Sequence, residues 1–118
     1  MIYLINSATM RNEGTYVFER LDAADWITIL RDAHESGTLE SFIGYRQNAD
    51  IIKQDTGISV RLTRSQLPDQ QGGDTLLIMR LPYRLQNSRL KGKHLQAESL
   101  QDFELFQARY QETTHEFI

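Results

Sequence analysis

No cysteine occurs in these 118 residues. A disulfide framework, a thiolate nucleophile and a cysteine-ligated zinc are thereby excluded. Proline is scarce, with Pro68 and Pro82 alone, so few points force a break in regular structure. No apolar run approaches the length that spans a bilayer, so no membrane partner is expected. The opening MIYLIN is apolar but lacks a basic flank and a cleavage site. It reads as a strand, not a signal peptide, and cytoplasmic location follows as the expectation. Broad positive charge is missing too. The formal net charge is −3, which argues against long nucleic acid as a general partner. It leaves room for a small anion in a local basic pocket.

Several chemistries fail for want of a motif. His34, His94 and His115 lie far apart, and none has a second ligand at metal-binding spacing. There is no serine nucleophile elbow. Gly72-Gly73 is not followed by a helix carrying Lys-Ser/Thr, so there is no phosphate loop of the nucleotide-hydrolase type. Neither a metal nor a cofactor is expected.

What is present is ordinary globular composition: 40% apolar and 25% charged residues, and chain enough for one core. The expected organisation is a single domain over residues 1–112 with a frayed tail at 113–118. Ile2 to Ile5 reads as a buried strand closed by Asn6-Ser7. Thr15 to Phe18 reads as a second strand, and the short connection predicts a hairpin. Asp22 is a helix N-cap type. Trp26, Ile27, Leu30 and Ala33 recur at helical spacing until Gly37 stops the run. A second helix is predicted over Tyr45 to Thr56, ended by Gly57, with Ala49, Ile51 and Ile52 inward. Ile58, Val60 and Leu62 alternate with Ser59, Arg61 and Thr63, the pattern of a half-buried strand. Thr75 to Leu81 and Phe103 to Tyr110 complete the strands. Phe103, Leu105 and Gln107 should face the core, away from Glu104, Phe106 and Ala108. The expected fold is α/β of the α+β kind: a mixed sheet of about five strands with two helices on one face.

Two stretches carry chemical interest. In SFIGYRQNADIIKQDTG, from Ser41 to Gly57, Gly44 allows a sharp turn and Tyr45, Arg46, Gln47 and Asn48 fall in the first helical turn. Helix N-termini carry unsatisfied N–H groups and a positive dipole end, which attract phosphate. Arg46 adds charge, and the two amides add donors for a base or ribose. The second stretch, YRLQNSRLKGKHLQ from Tyr83 to Gln96, holds Arg84, Arg89, Lys91, Lys93 and His94 with no acid. Metal-free phosphoryl chemistry needs charge stabilisation and one proton donor, and Arg84, Arg46 and Tyr45 are the available types.

On these residues the chain resembles the small viral ring nucleases that act as anti-CRISPR proteins against type III systems, together with their host-encoded relatives. MIYLINS matches that family's opening strand and turn. IGYRQNADIIKQDTG aligns without a gap on its Ile-Gly-His-x-Ser-Thr segment and helix. Arg84-Leu85-Gln86-Asn87-Ser88-Arg89 matches its Arg-Leu-x-Glu-Gly-Lys loop in part. Leu105-Phe106-Gln107-Ala108-Arg109 matches its closing strand loosely. The resemblance implies a homodimer that encloses a cyclic tetra-adenylate at its two-fold axis and cleaves it without metal. The ribose 2′-hydroxyl would attack the adjacent phosphate, leaving a 2′,3′-cyclic phosphate. By the same resemblance Asn6 and Ser7 line the ligand, and Gly44 and the following helix turn hold phosphate. Arg84 stabilises the developing charge, and Arg89 stands in the same loop.

The departures bear on catalysis. Tyr45 occupies the position of the family's catalytic His, Asn87 and Ser88 replace its Glu and Gly, and Gln47-Asn48 replace its Ser-Thr. Tyrosine, with a solution pKa near 10, is a poorer general acid at neutral pH than imidazole. Loss of a general acid costs on the order of 10²–10⁴ in rate. The expected function is therefore neutralisation of nucleotide-signalled antiviral defence. It would act by sequestering a cyclic oligoadenylate or related ring, or by slow metal-independent cleavage of it, within the host cytoplasm if the chain is virus-encoded. The alternatives are an active ring nuclease with a non-His acid, and a dimeric mobile-element protein with no nucleotide ligand.

Overall fold

The computed structural model describes residues 1–6, 15–63, 65–81 and 97–111. Among these, the elements in chain order are β1 (Ile2–Ile5), β2 (Thr15–Leu21), α1 (Ala23–Ser36), β3 (Leu39–Ser41), α2 (Arg46–Thr56), β4 (Thr75–Arg80) and β5 (Glu104–Gln111). A 3-10 turn at Leu100–Asp102 precedes β5. The strands form one five-stranded sheet in the order β2-β5-β4-β1-β3. β1 runs parallel to β3 and β4, and β5 runs antiparallel to β4 and β2. The single α+β domain with a mixed sheet and two helices is as the sequence predicts.

The helix limits follow local chemistry. The Asp22 carboxylate accepts the Asp25 N–H at 2.8 Å and caps α1. Gly37 and Gly57, at φ 74° and 79°, end α1 and α2 in the left-handed region where a Cβ would strain the backbone. Gly44 is not among the positive-φ glycines, so the entry to α2 does not depend on glycine's special backbone freedom.

Two strand expectations are corrected. β1 and β2 do not form a hairpin: β1 lies between β4 and β3, while β2 sits at the far edge against β5. β1 is apolar on both faces, with Leu4 turned one way and Tyr3 and Ile5 the other, which suits a covered interior position. β2 is mostly exposed, which suits an edge. The second correction concerns residues 58–62, which make only one isolated parallel bridge, Ile43 to Leu62. Leu39–Ser41 supplies the fifth strand instead. Three residues are too few to show a period of two.

Both helices lie on one face of the sheet. Trp26 and Leu30 of α1 and Ile51 and Ile52 of α2 pack with Leu4, Leu77, Met79 and Leu105. Trp26 is fully buried, and its Nε1–H donates to the Ile78 carbonyl at 3.1 Å, satisfying its one polar atom. The opposite face is also apolar: Tyr3, Ile5, Leu67, Leu76, Ile78 and Ala108 cluster there. The expectation for the last strand holds for Phe103 and Leu105 on the helix side and for Ala108 facing away from them; what the sequence does not show is that the face Ala108 points to is itself buried. Gln107 is half-buried and donates to the Glu19 carboxylate at 2.6 Å. Near this second face, burial and the carboxylates of Asp74 and Glu40 raise the Tyr3 phenol above its ordinary pKa.

Candidate functional site

The three mutually parallel strands β3, β1 and β4 end on the same edge of the sheet. Asn6 follows β1, residues 42–45 lead from β3 into α2, and Leu81 follows β4. Crevices beyond the carboxyl ends of parallel strands are where open α/β sheets bind ligands, because neighbouring connections diverge there. Such a crevice exists here. It has a volume of about 670 Å³ and is lined by Asn6, Tyr45, Arg46, Gln47, Asn48, Leu81 and Phe103. That volume lies within the usual range for small-molecule sites.

The start of α2 opens into this cleft without a side-chain cap. Tyr45 is the N-cap residue at φ −115° and ψ 128°, its side chain makes no capping bond, and the first turn has no acid. The N–H groups of Asn48 and Ala49 both reach the Tyr45 carbonyl, at 3.1 and 3.3 Å. Those of Arg46 and Gln47 find no partner among the described residues. The Arg46 guanidinium has no ion-pair partner among them either. Among the described residues, two donors without acceptors, a cation without an ion pair and a helix dipole without a first-turn acid thus meet at one place. Tyr45 is 66% exposed at the rim, so its hydroxyl is open to solvent and to anything in the cleft.

Of the residues singled out by sequence, Asn6, Tyr45, Arg46, Gln47 and Asn48 come together, although Asn6 is remote from the others in the chain. Gly44 adjoins them in sequence. Ser7, Arg84 and Arg89 lie outside the described residues, as do His94 and the tail at 113–118. Gln47 also ties α2 to a distant segment, since its Nε2 donates to the Ala97 carbonyl at 3.3 Å. Its Oε1 is then the polar atom without a described partner. Two lining residues, Leu81 and Phe103, carry no site signal in the sequence. Phe103 reads there as core and Leu81 as a strand end, and only the sheet order brings them beside Asn6. No cluster of three metal-ligating side chains occurs among the described residues.

A family model described as STIV B116-like matches residues 2–109. The chain belongs to the STIV B116-like family. A solved structure, B116 of Sulfolobus turreted icosahedral virus, is similar to it at 20% identity, with a TM-score of 0.72 over 92% of this chain and 98% of that one. At that identity the likeness shows the shared fold. No curated protein matches. Among the described residues of this STIV B116-like chain, no helix is long and apolar enough to cross a membrane.

Proposed function

We propose that this protein binds a cyclic oligonucleotide, a cyclic oligoadenylate or a related ring, in the cleft between Asn6 and the start of α2. By doing so it would neutralise nucleotide-signalled antiviral defence. The observation that carries the reading is the convergence of Asn6 with Tyr45–Asn48. The resemblance to ring nucleases assigns both segments to the ligand, and the fold brings them to one crevice. The free N–H groups of Arg46 and Gln47 suit a phosphodiester oxygen. Phe103 and Leu81 offer an apolar wall to a base. The side-chain amides of Asn6 and Asn48 suit base edges or a ribose hydroxyl. Arg84 would add charge to the phosphate.

Sequestration is favoured over fast cleavage. By the resemblance Tyr45 takes the position of the family's general acid, and a phenol is a poorer general acid at neutral pH than an imidazolium. A ring with two-fold symmetry is enclosed by two copies of an open cleft, so a homodimer with facing α2 N-termini completes the proposal. The test is incubation with a panel of cyclic oligonucleotides in EDTA, with bound and cleaved species read by mass spectrometry. Retention of one ring class with little or no turnover is the expected result. Fast metal-independent cleavage by the wild-type protein would overturn sequestration. Absence of binding to every ring by folded protein would overturn the nucleotide reading altogether.

A further inference from the structure

The outer edge of β3 is unfinished. Ile2 N–H donates to the Thr38 carbonyl, and Phe42 N–H donates to the Leu4 carbonyl, each at 2.8 Å. In a parallel ladder these bonds fix the phase, so residues 38, 40 and 42 address β1 while 39, 41 and 43 point outward. Ile43 is met from outside: its carbonyl accepts the Thr63 N–H at 3.0 Å. The outward amides and carbonyls of Leu39 and Ser41 have no partner among the described residues. They border a cleft of about 430 Å³ whose other wall is residues 59–61.

The register of that other wall is set by the Ile43–Leu62 bridge. Continued toward lower numbers, it would place Val60 opposite Ser41 and Ile58 opposite Leu39. The faces agree. Ile58 and Val60 already pack in the helix-side core, as do Leu39 and Ile43, so no side chain would have to change sides. On the opposite face the same register sets Arg61 diagonal to Glu40. Both are unpaired among the described residues, and they carry opposite charge.

One group stands in the way. The Ser41 hydroxyl accepts the Ile43 N–H at 3.3 Å and donates to the Arg61 carbonyl at 2.8 Å. It thus competes for the Ile43 N–H and the Arg61 carbonyl, the two groups that the Ile43–Leu62 bridge directs at each other. Beyond that hydroxyl the two segments splay.

We propose that residues 58–62 close onto β3 as a sixth strand in a second state of this protein, and that the Ser41 hydroxyl is the wedge holding the observed state open. Closure would let Ser41 N–H donate to the Ser59 carbonyl, Arg61 N–H to the Ser41 carbonyl and Ser59 N–H to the Leu39 carbonyl. The alternating pattern of Ile58 to Thr63, which the open structure leaves almost without pairing, is the pattern such a strand requires.

Amide hydrogen exchange followed residue by residue tests this. Ser41→Ala should slow exchange at Ser59 and Arg61 by at least about tenfold relative to wild type, while the Leu77 amide in the sheet centre reports intact global stability. Adding Glu40→Lys to Ser41→Ala should restore the fast exchange by setting like charges side by side. A Ser41→Ala protein that stays folded with both amides within about twofold of wild type overturns the proposal. A second measurement keeps Ser41 in place. Glu40→Cys with Ser59→Cys, in a chain without other cysteines, should form an intrachain disulfide in glutathione buffer. Closure brings those positions within the Cα spacing of about 4.4–6.8 Å that a disulfide needs. A pair that remains reduced counts against closure in the same way.

Discussion

At the residue scale the proposed ring site turns on Tyr45. If the pocket retains the geometry for in-line attack by a ribose 2′-hydroxyl, then Tyr45→His should create or raise ring cleavage by on the order of 10²–10⁴. The products should be 2′,3′-cyclic phosphates formed with EDTA present, as read by mass spectrometry. Tyr45→Phe should leave ring affinity nearly unchanged. Arg46→Ala and Arg84→Ala should each weaken ring binding by about 1.5–3 kcal/mol, the worth of a hydrogen bond to a charged group. Calorimetry is the measurement, and thermal stability should hardly move for Arg46→Ala, because Arg46 holds no ion pair among the described residues.

Tyr3 gives a prediction of a different kind. Its phenol is raised in the folded protein, first by burial and then by Asp74 and Glu40. The unfolded chain therefore loses this proton at lower pH than the folded one. The corresponding stability is fully present below about pH 10 and declines as pH rises through the higher folded value. Urea midpoints between neutral and strongly alkaline pH should fall less steeply for Tyr3→Phe than for wild type.

At the element scale, helices are more legible in the sequence than strands. Asp22, Gly37 and Gly57 mark helix ends by chemistry confined to a few neighbouring residues, and their positions match the observed limits. Asp22→Ala should cost about 1 kcal/mol by removing the cap on Asp25 N–H, measured by denaturant unfolding. Strand pairing is not local in this way. The proximity of β1 to β2 in sequence suggests a hairpin, but the preference of IYLI for burial on both faces outweighs it. β3 leaves little trace in the sequence because Leu39–Ser41 is short and only half-buried. Residues 58–62 read as a strand because their alternation is real, yet their backbone is nearly unpaired. The candidate site is legible in part for the same reason. The start of α2 is a local signal, whereas the addition of Leu81 and Phe103 depends on the order of strands.

At the scale of the whole molecule, the sheet has a parallel half, β4-β1-β3, and an antiparallel half, β4-β5-β2. The cleft belongs to the parallel half, where one edge collects three carboxyl ends and one helix start. The antiparallel half carries Arg20 and Arg80 over the Phe106 ring at 5.5 and 5.0 Å, both reaching Glu104. These pairs are exposed, so they add little stability. The homodimer expected from the ring's symmetry is checked by sedimentation at micromolar concentration with and without ligand. A monomer in both conditions would remove the shared-cleft arrangement.

The position of β1 also governs how the chain can reach this fold. Ile2–Ile5 is hydrogen-bonded on one side to Leu39–Ser41 and on the other to Thr75–Arg80. Neither partner is near it in sequence, so each pairing requires a long loop to close before any contact rewards it. Until β4 arrives, an apolar, β-prone tetrapeptide has at least one naked edge. Slow acquisition of structure, on the ms–s scale of chains dominated by distant contacts, is the expected kinetic signature. During that interval the chain's chief hazard is association with other unfinished copies through that edge.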